Sequence, residues 1–220
     1  MEQNSFHLRG RIITLAVFAI AMAFLEAAVV VYLRELYYPE GFSFPLKMIP
    51  PKIYTIELGR EAATIMMLAA VGWFSGRNFT SRFAGFAMAF GVWDIFYYLF
   101  LKITLDWPSG VLDWDLLFLI PLPWLGPVLA PIIVSIFLIA AGVAIWRREA
   151  RHNPIIISKR QWLIISFAGL IIIGSFLTNT TAMLEQTTPQ SFRWDVFTIG
   201  LLLGLAAFSK SITSVKRKKN

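Results

Sequence analysis

Cysteine is absent from this chain of 220 residues, and histidine occurs only at His7 and His152. Without cysteine there is no disulfide, no thiolate nucleophile, no Fe–S cluster and no Cys-type zinc site. The two histidines fall in an N-terminal tail and a basic loop. That excludes a haem held by paired membrane histidines and a His-Glu-x-x-His metalloprotease, so neither haem nor zinc is expected. Charge is scarce as well. Only 15% of residues are charged, against roughly 25% in soluble domains, while 57% are hydrophobic and 15% aromatic. Mean hydropathy is +0.66. These figures exclude a soluble, disordered or disulfide-stapled chain, and they make nucleic acid a poor partner despite the net charge of +7.

What is present is apolar sequence in blocks of about 20 residues, the span of a bilayer core. The expected fold is all-α: a polytopic integral membrane helical bundle in a single transmembrane domain over residues 1–220. Six spans are drawn at 12–33, 57–74, 81–102, 127–146, 161–178 and 194–212. The first is too long for a signal-peptide core and contains Glu26, so it reads as a retained signal anchor.

Basic residues set the orientation. With six spans, Arg9 and Arg11, Arg77 and Arg82, the group from Arg147 to Arg160, and Lys210 with the 216–219 run all share one side. Of the 13 acidic residues, only Glu2 and Glu149 join them. The expected location is the cytoplasmic (inner) membrane with both termini inside. The terminal basic run serves as an anchor beside anionic lipid.

The outer side carries the irregular sequence. A Tyr- and Pro-rich first loop runs from Arg34 to Ile56 and is apolar enough to lie on the membrane. Between Asp113 and Trp146, Pro121, Pro123, Pro127 and Pro131 remove helical hydrogen bonds. The expectation there is a short half-helix over Asp115–Ile120, broken by proline before the fourth span, either re-entrant or on the surface. Trp-Asp recurs at 93–94, 114–115 and 194–195. In the last two pairs Asp caps an outer helix, whereas Asp94 lies inside a span where no cap is needed.

Ionisable residues inside the spans point to a site. Glu26 lies about 21 Å along the first helix, Asp94 lies at nearly the same depth on the third, and Glu57, Arg60 and Glu61 fill the first turns of the second. Ala19, Ala23 and Glu26 form one stripe; Ala87, Gly91, Asp94, Tyr98 and Lys102 form another. Small residues beneath a carboxylate let helices approach and turn the acid inward. The expected feature is an outward-opening acidic pocket floored by alanine and glycine. Its candidate acid/base residues or cation ligands are Glu26, Glu61 and Asp94, and its candidate binding residues are Arg60, Lys102, Tyr98 and Glu57. Four acids face two cations there. The surplus requires water, held protons or a bound cation. Oxygen-only ligands would suit Mg, Ca or Mn.

Three functions are compatible with this pattern. The first is a membrane-embedded enzyme acting on a lipid or lipid-linked substrate at the outer leaflet, with a carboxylate as general base. The second is a non-catalytic subunit or assembly factor whose charges only fix helix register. The third is a proton or cation carrier, opposed by the lack of ionisable residues in the inner halves of the spans. The expected partners are membrane lipids, with protein partners or a homo-oligomer for the subunit reading. Met66, Met67 and Met88 read as core or lipid-facing side chains rather than thioether ligands.

Overall fold

The computed structural model describes residues 2–181, 185 and 187–217. Lys218 and Lys219 of the basic run lie outside the described residues. The elements in order are α1 (Glu2–Tyr37), α2 (Pro51–Ser75), α3 (Phe79–Leu105), β1 (Trp114–Phe118), β2 (Trp124–Pro127), α4 (Leu129–Ala150), α5 (Lys159–Leu177) and α6 (Trp194–Arg217). Five of them, α1 and α3 to α6, are long and apolar enough to cross a membrane. The chain is thus compatible with a helical multi-pass membrane protein. At 25 residues α2 is long enough, but Lys52, Glu57, Arg60 and Glu61 in its first half keep it out of that class.

Local sequence explains where the helices begin. Pro51 stands in the first turn of α2, where its missing N–H costs nothing. Asn78 caps α3 by accepting from the Ser81 N–H at 3.0 Å. Ser158 and Gln161 form a capping box at the start of α5.

The helix at the centre is α3, packed against α1, α2 and α4. The small-residue stripes do turn inward: Ala19, Ala23 and Ala87 are buried together with Glu26, Asp94 and Tyr98. Two glycines set the closest approach of α3 to α4. A Cβ on Gly91 would lie 2.6 Å from the Ser135 carbonyl oxygen, and one on Gly142 2.7 Å from that of Ala84. At the opposite end of the bundle from the hairpin, Arg11 ties three helices together. Its guanidinium donates to Glu149 Oε2 at 3.1 Å and Ser81 Oγ at 2.9 Å, and lies 3.7 Å over the Trp146 ring. The Trp146 indole N–H in turn donates to the Ser81 carbonyl at 2.9 Å. Arg11 therefore does more than mark the charged side of the chain.

The expected half-helix over Asp115–Ile120 is not there. In its place β1 and β2 form an antiparallel hairpin, with Trp114 opposite Pro127 and Leu116 opposite Leu125. The cause is visible in the sequence: Pro121 and Pro123 cannot donate to a helix, but they fit a turn between two short strands. Large side chains on both strands suit a pleated surface. The second strand is mostly buried and the first half-buried. Leu125 and the first-loop residue Leu46 pack together with Phe42 and Phe44 against Trp114 and Leu116. The first loop thus folds over the hairpin.

The α5–α6 pair is fastened to the rest at both ends. At the hairpin end, Phe176, Phe192 and Phe197 pack with Ala130, Trp114 and Trp124. At the other end, Trp162 meets Phe79 and Phe83 edge-on at 5.1 and 4.9 Å. Arg148 there donates to the Ile212 carbonyl at 3.2 Å. Between these two fastenings the helices stand apart.

Candidate functional site: a cavity with an acidic end

The gap between the fastenings is a cavity of about 780 Å³. Its lining runs from Pro131 to Ile145 along α4 and from Trp162 to Phe176 along α5, about 21 Å of helix axis on each. Most of the wall is apolar. Alanines and glycines of α3, α4, α5 and α6 keep the middle wide: a Cβ on Gly169, which lines the cavity, would meet nothing within 4 Å. The polar residues gather at the hairpin end, where Glu26, Arg34, Glu57, Arg60, Glu61 and Asp94 all reach the lining.

The α1–α2 contact is built around Arg60. It donates through Nε to Glu57 Oε2 at 2.8 Å and through Nη1 to Glu26 Oε2. The second oxygen of Glu26 accepts from the Thr64 hydroxyl. Arg60 is 22% exposed, whereas both carboxylates are 8% exposed. One guanidinium thus serves two acids, and a neighbouring hydroxyl completes Glu26. The helical spacing makes this possible: residues 57, 60, 61 and 64 share one face of α2.

Glu61 points elsewhere. Its Oε2 accepts the Leu119 backbone N–H at 2.8 Å, which pins the hairpin turn to α2. Asp94 Oδ2 accepts the Ser135 hydroxyl at 2.8 Å across the close α3–α4 contact. Its other oxygen has no hydrogen bond among the described residues. Neither Glu61 nor Asp94 is within ion-pair distance of a described cation. Glu61 and Asp94, 7% and 6% exposed and each held by neutral donors, are part of the acidic surplus counted from the sequence; the single charge of Arg60, shared by Glu26 and Glu57, leaves a further one unmatched.

Of the other candidates, Tyr98 joins a network that the sequence did not reveal. Its hydroxyl donates to Asp115 Oδ2 at 3.2 Å, and Arg34 donates to Asp115 Oδ1 at 3.1 Å. This pair is nearly dry, at 8% and 2% side-chain exposure. The Arg34 guanidinium also lies over the Trp107 and Phe42 rings, at 3.7 and 4.1 Å from their centroids. Asp115 is consequently a buried strand residue and not a helix cap. One signal could have exposed the pair: Arg34 is one of the minority of basic residues that the expected orientation leaves on the acid-rich side.

Lys102 stands apart from the cavity. It pairs with Asp106 at 2.7 Å on the surface, and its hydrogen bond and charge hold the Asp106 carboxyl below the usual range. Among the described residues, no group of three His, Asp or Glu side chains comes together closely enough to hold a metal ion. Glu26 is taken by Arg60 and Thr64, and Asp94 and Glu61 sit against different elements.

Aromatic rings complete the wall. Trp93, Tyr97, Phe118 and Trp124 all reach the cavity. Phe118 lies 6.1 Å from Trp93 and 5.4 Å from Trp124, and Trp124 stacks on Phe176 at 6.1 Å. No family model, curated protein or solved structure matches this chain.

Proposed function

We propose that this chain is a multi-pass protein of the cytoplasmic membrane that takes a lipid or lipid-linked molecule into the cavity beside α5 and acts on its polar head. The six helices, α2 included, cross the bilayer with both termini inside. The balance of basic residues supports that orientation. The observation that carries the functional reading is the division of the cavity. Some 21 Å of apolar wall leads to a charged end containing two carboxylates that lie outside ion-pair distance of every described cation. Apolar length suits a chain, and a carboxylate with an unbonded oxygen suits removal of a proton from a head group. Asp94 is the general base in this reading. Glu61 holds the hairpin that roofs it.

The carrier reading gains little support, since Ser166 is the one hydroxyl among the lining residues toward the Trp162 end. The subunit reading draws on the internal pairing of Arg60 and Arg34, which would fix helix register by itself.

Gly169→Leu tests the proposal. The new side chain enters open space and replaces a helical glycine, which stabilises the helix by about 0.5–1 kcal/mol. Wild-type protein purified gently is expected to carry a lipid-like molecule in native mass spectra. The variant is expected to lose it while melting no lower. An identical spectrum from both proteins would contradict the reading.

A further inference from the structure

The hydrogen-bonding character of the molecule's polar end can be read from what the wall leaves unmet, given the reading of the cavity as a lipid-like site. Three buried polar atoms of lining side chains have no partner among the described residues: the indole N–H groups of Trp93 and Trp124, and Nη1 of Arg34. Trp93 and Arg34 are only 6% and 7% exposed. All three atoms are donors, and a buried donor left unmet is costly. The wall therefore calls for acceptor oxygens. The donors gather at the hairpin end. Phe118 lies between the two indoles, 6.1 Å from Trp93 and 5.4 Å from Trp124, and Arg34 is tied to Asp115 on the same strand as Phe118.

Asp94 adds the opposite demand. Its Oδ2 accepts from Ser135, and its other oxygen has no hydrogen bond among the described residues. A head that only accepts leaves Asp94 unmet, and one that only donates leaves the indoles unmet. Charge narrows the choice further. Five acids and three cations line the cavity, so an anionic head adds to an excess of its own sign. An ammonium offers the donors nothing. A hydroxyl is uncharged, and it both donates and accepts. It also carries a proton of the kind that a base at Asp94 removes. An amide can play both hydrogen-bonding roles, but resonance ties up its nitrogen lone pair and leaves a poor nucleophile. We infer that the polar end of the molecule bound here is an uncharged, hydroxyl-bearing head, whose oxygens accept from Trp93, Trp124 and Arg34 and one of whose O–H groups donates to Asp94.

The test titrates probes with matched apolar chains into the full-length protein by calorimetry: 1-monodecanoylglycerol, decyl glucoside, decyl methyl ether, decyl phosphate and decyltrimethylammonium. The protein is held in amphipol, so that no sugar-headed detergent competes. Wild type is expected to bind a hydroxyl-bearing probe more tightly than the ether, the phosphate or the ammonium. Asp94→Asn is expected to reduce the advantage of that probe over the ether about fivefold, since a hydrogen bond to a charged acceptor becomes one to a neutral acceptor. In tryptophan-labelled protein, the indole N–H resonances of Trp93 and Trp124, assigned through Trp93→Phe and Trp124→Phe, are expected to move downfield when the probe is added. Tighter binding of monodecanoylglycerol assigns a glycerolipid head, and tighter binding of decyl glucoside assigns a sugar.

Equal binding of the ether and both hydroxyl-bearing probes, tightest binding of the phosphate or the ammonium, or indole resonances that stay in place overturn the hydroxyl assignment. Gly169→Leu separates this failure from that of the cavity itself. If wild type binds all five probes alike and the variant binds none, the cavity stands without the hydroxyl. If the variant binds all five as wild type does, the cavity reading falls and the inference with it.

Discussion

Replacing Arg60 by glutamine removes the one cation that holds two acids at the α1–α2 contact. Glu26 and Glu57 are each 8% exposed as side chains, so neither regains full hydration when the guanidinium leaves. Breaking a buried pair from one side costs about 3–5 kcal/mol, because the remaining charge is stranded. Arg60 itself is 22% exposed, and water entering by the same path places the expected loss at the lower end, about 3 kcal/mol. For a chain of this length that corresponds to a fall in melting temperature of about 6–12 °C. Thermal denaturation of a fluorescent fusion in detergent, followed by size exclusion, reads this directly. The triple variant Arg60→Gln, Glu26→Gln, Glu57→Gln removes the stranded charges and is expected to recover most of the loss. A single variant melting within about 1 °C of wild type, or a triple variant melting no higher than the single, would refute the buried-pair account.

Glu61→Gln keeps an acceptor for the Leu119 N–H and should hold the hairpin, whereas Glu61→Leu should release it; faster hydrogen exchange in peptides over 114–127 in the leucine variant alone checks this. Gly142→Val places a side chain against the Ala84 carbonyl, where a Cβ would lie at 2.7 Å. It is expected to cost about 1–3 kcal/mol of stability through overpacking, read as a lowered melting temperature. The cysteine-free background permits single-cysteine topology mapping of α2. Lys52→Cys should react with an impermeant maleimide on intact cells, and Arg77→Cys only after permeabilisation. Reaction of both from outside would show that α2 does not cross.

Much of this architecture is legible because membrane helices announce themselves through length and apolarity. The inward turn of Glu26 and Asp94 is legible for a related reason: alanine and glycine at steps of three and four mark the face where another backbone comes close. The hairpin is harder to foresee. Trp114–Phe118 and Trp124–Pro127 are too short to show a decisive alternation, and the prolines argue against a helix without specifying a strand. The Arg34–Asp115 pair depends on that hairpin, so it could not be derived from helix depth alone. Lys102 shows the limit of stripe reasoning. It shares the face of Asp94 and Tyr98, yet one further turn carries it out of the cavity to Asp106. The hairpin likewise decides where Glu61 is used, since its partner comes from a turn 58 residues away in sequence.

The proposed function requires that the apolar chain of a lipid or lipid-linked molecule lie between α4 and α5. Photolabelling with a lipid carrying a diazirine in its chain, followed by peptide mapping, tests it most directly. Adducts are expected on the cavity-lining Ile172 and Ile173 in excess of those on Phe167 and Leu170, which are exposed on the same helix. Gly169→Leu is expected to remove the excess while labelling of Phe167 and Leu170 continues. Even labelling around α5, or an excess that survives Gly169→Leu, would contradict it.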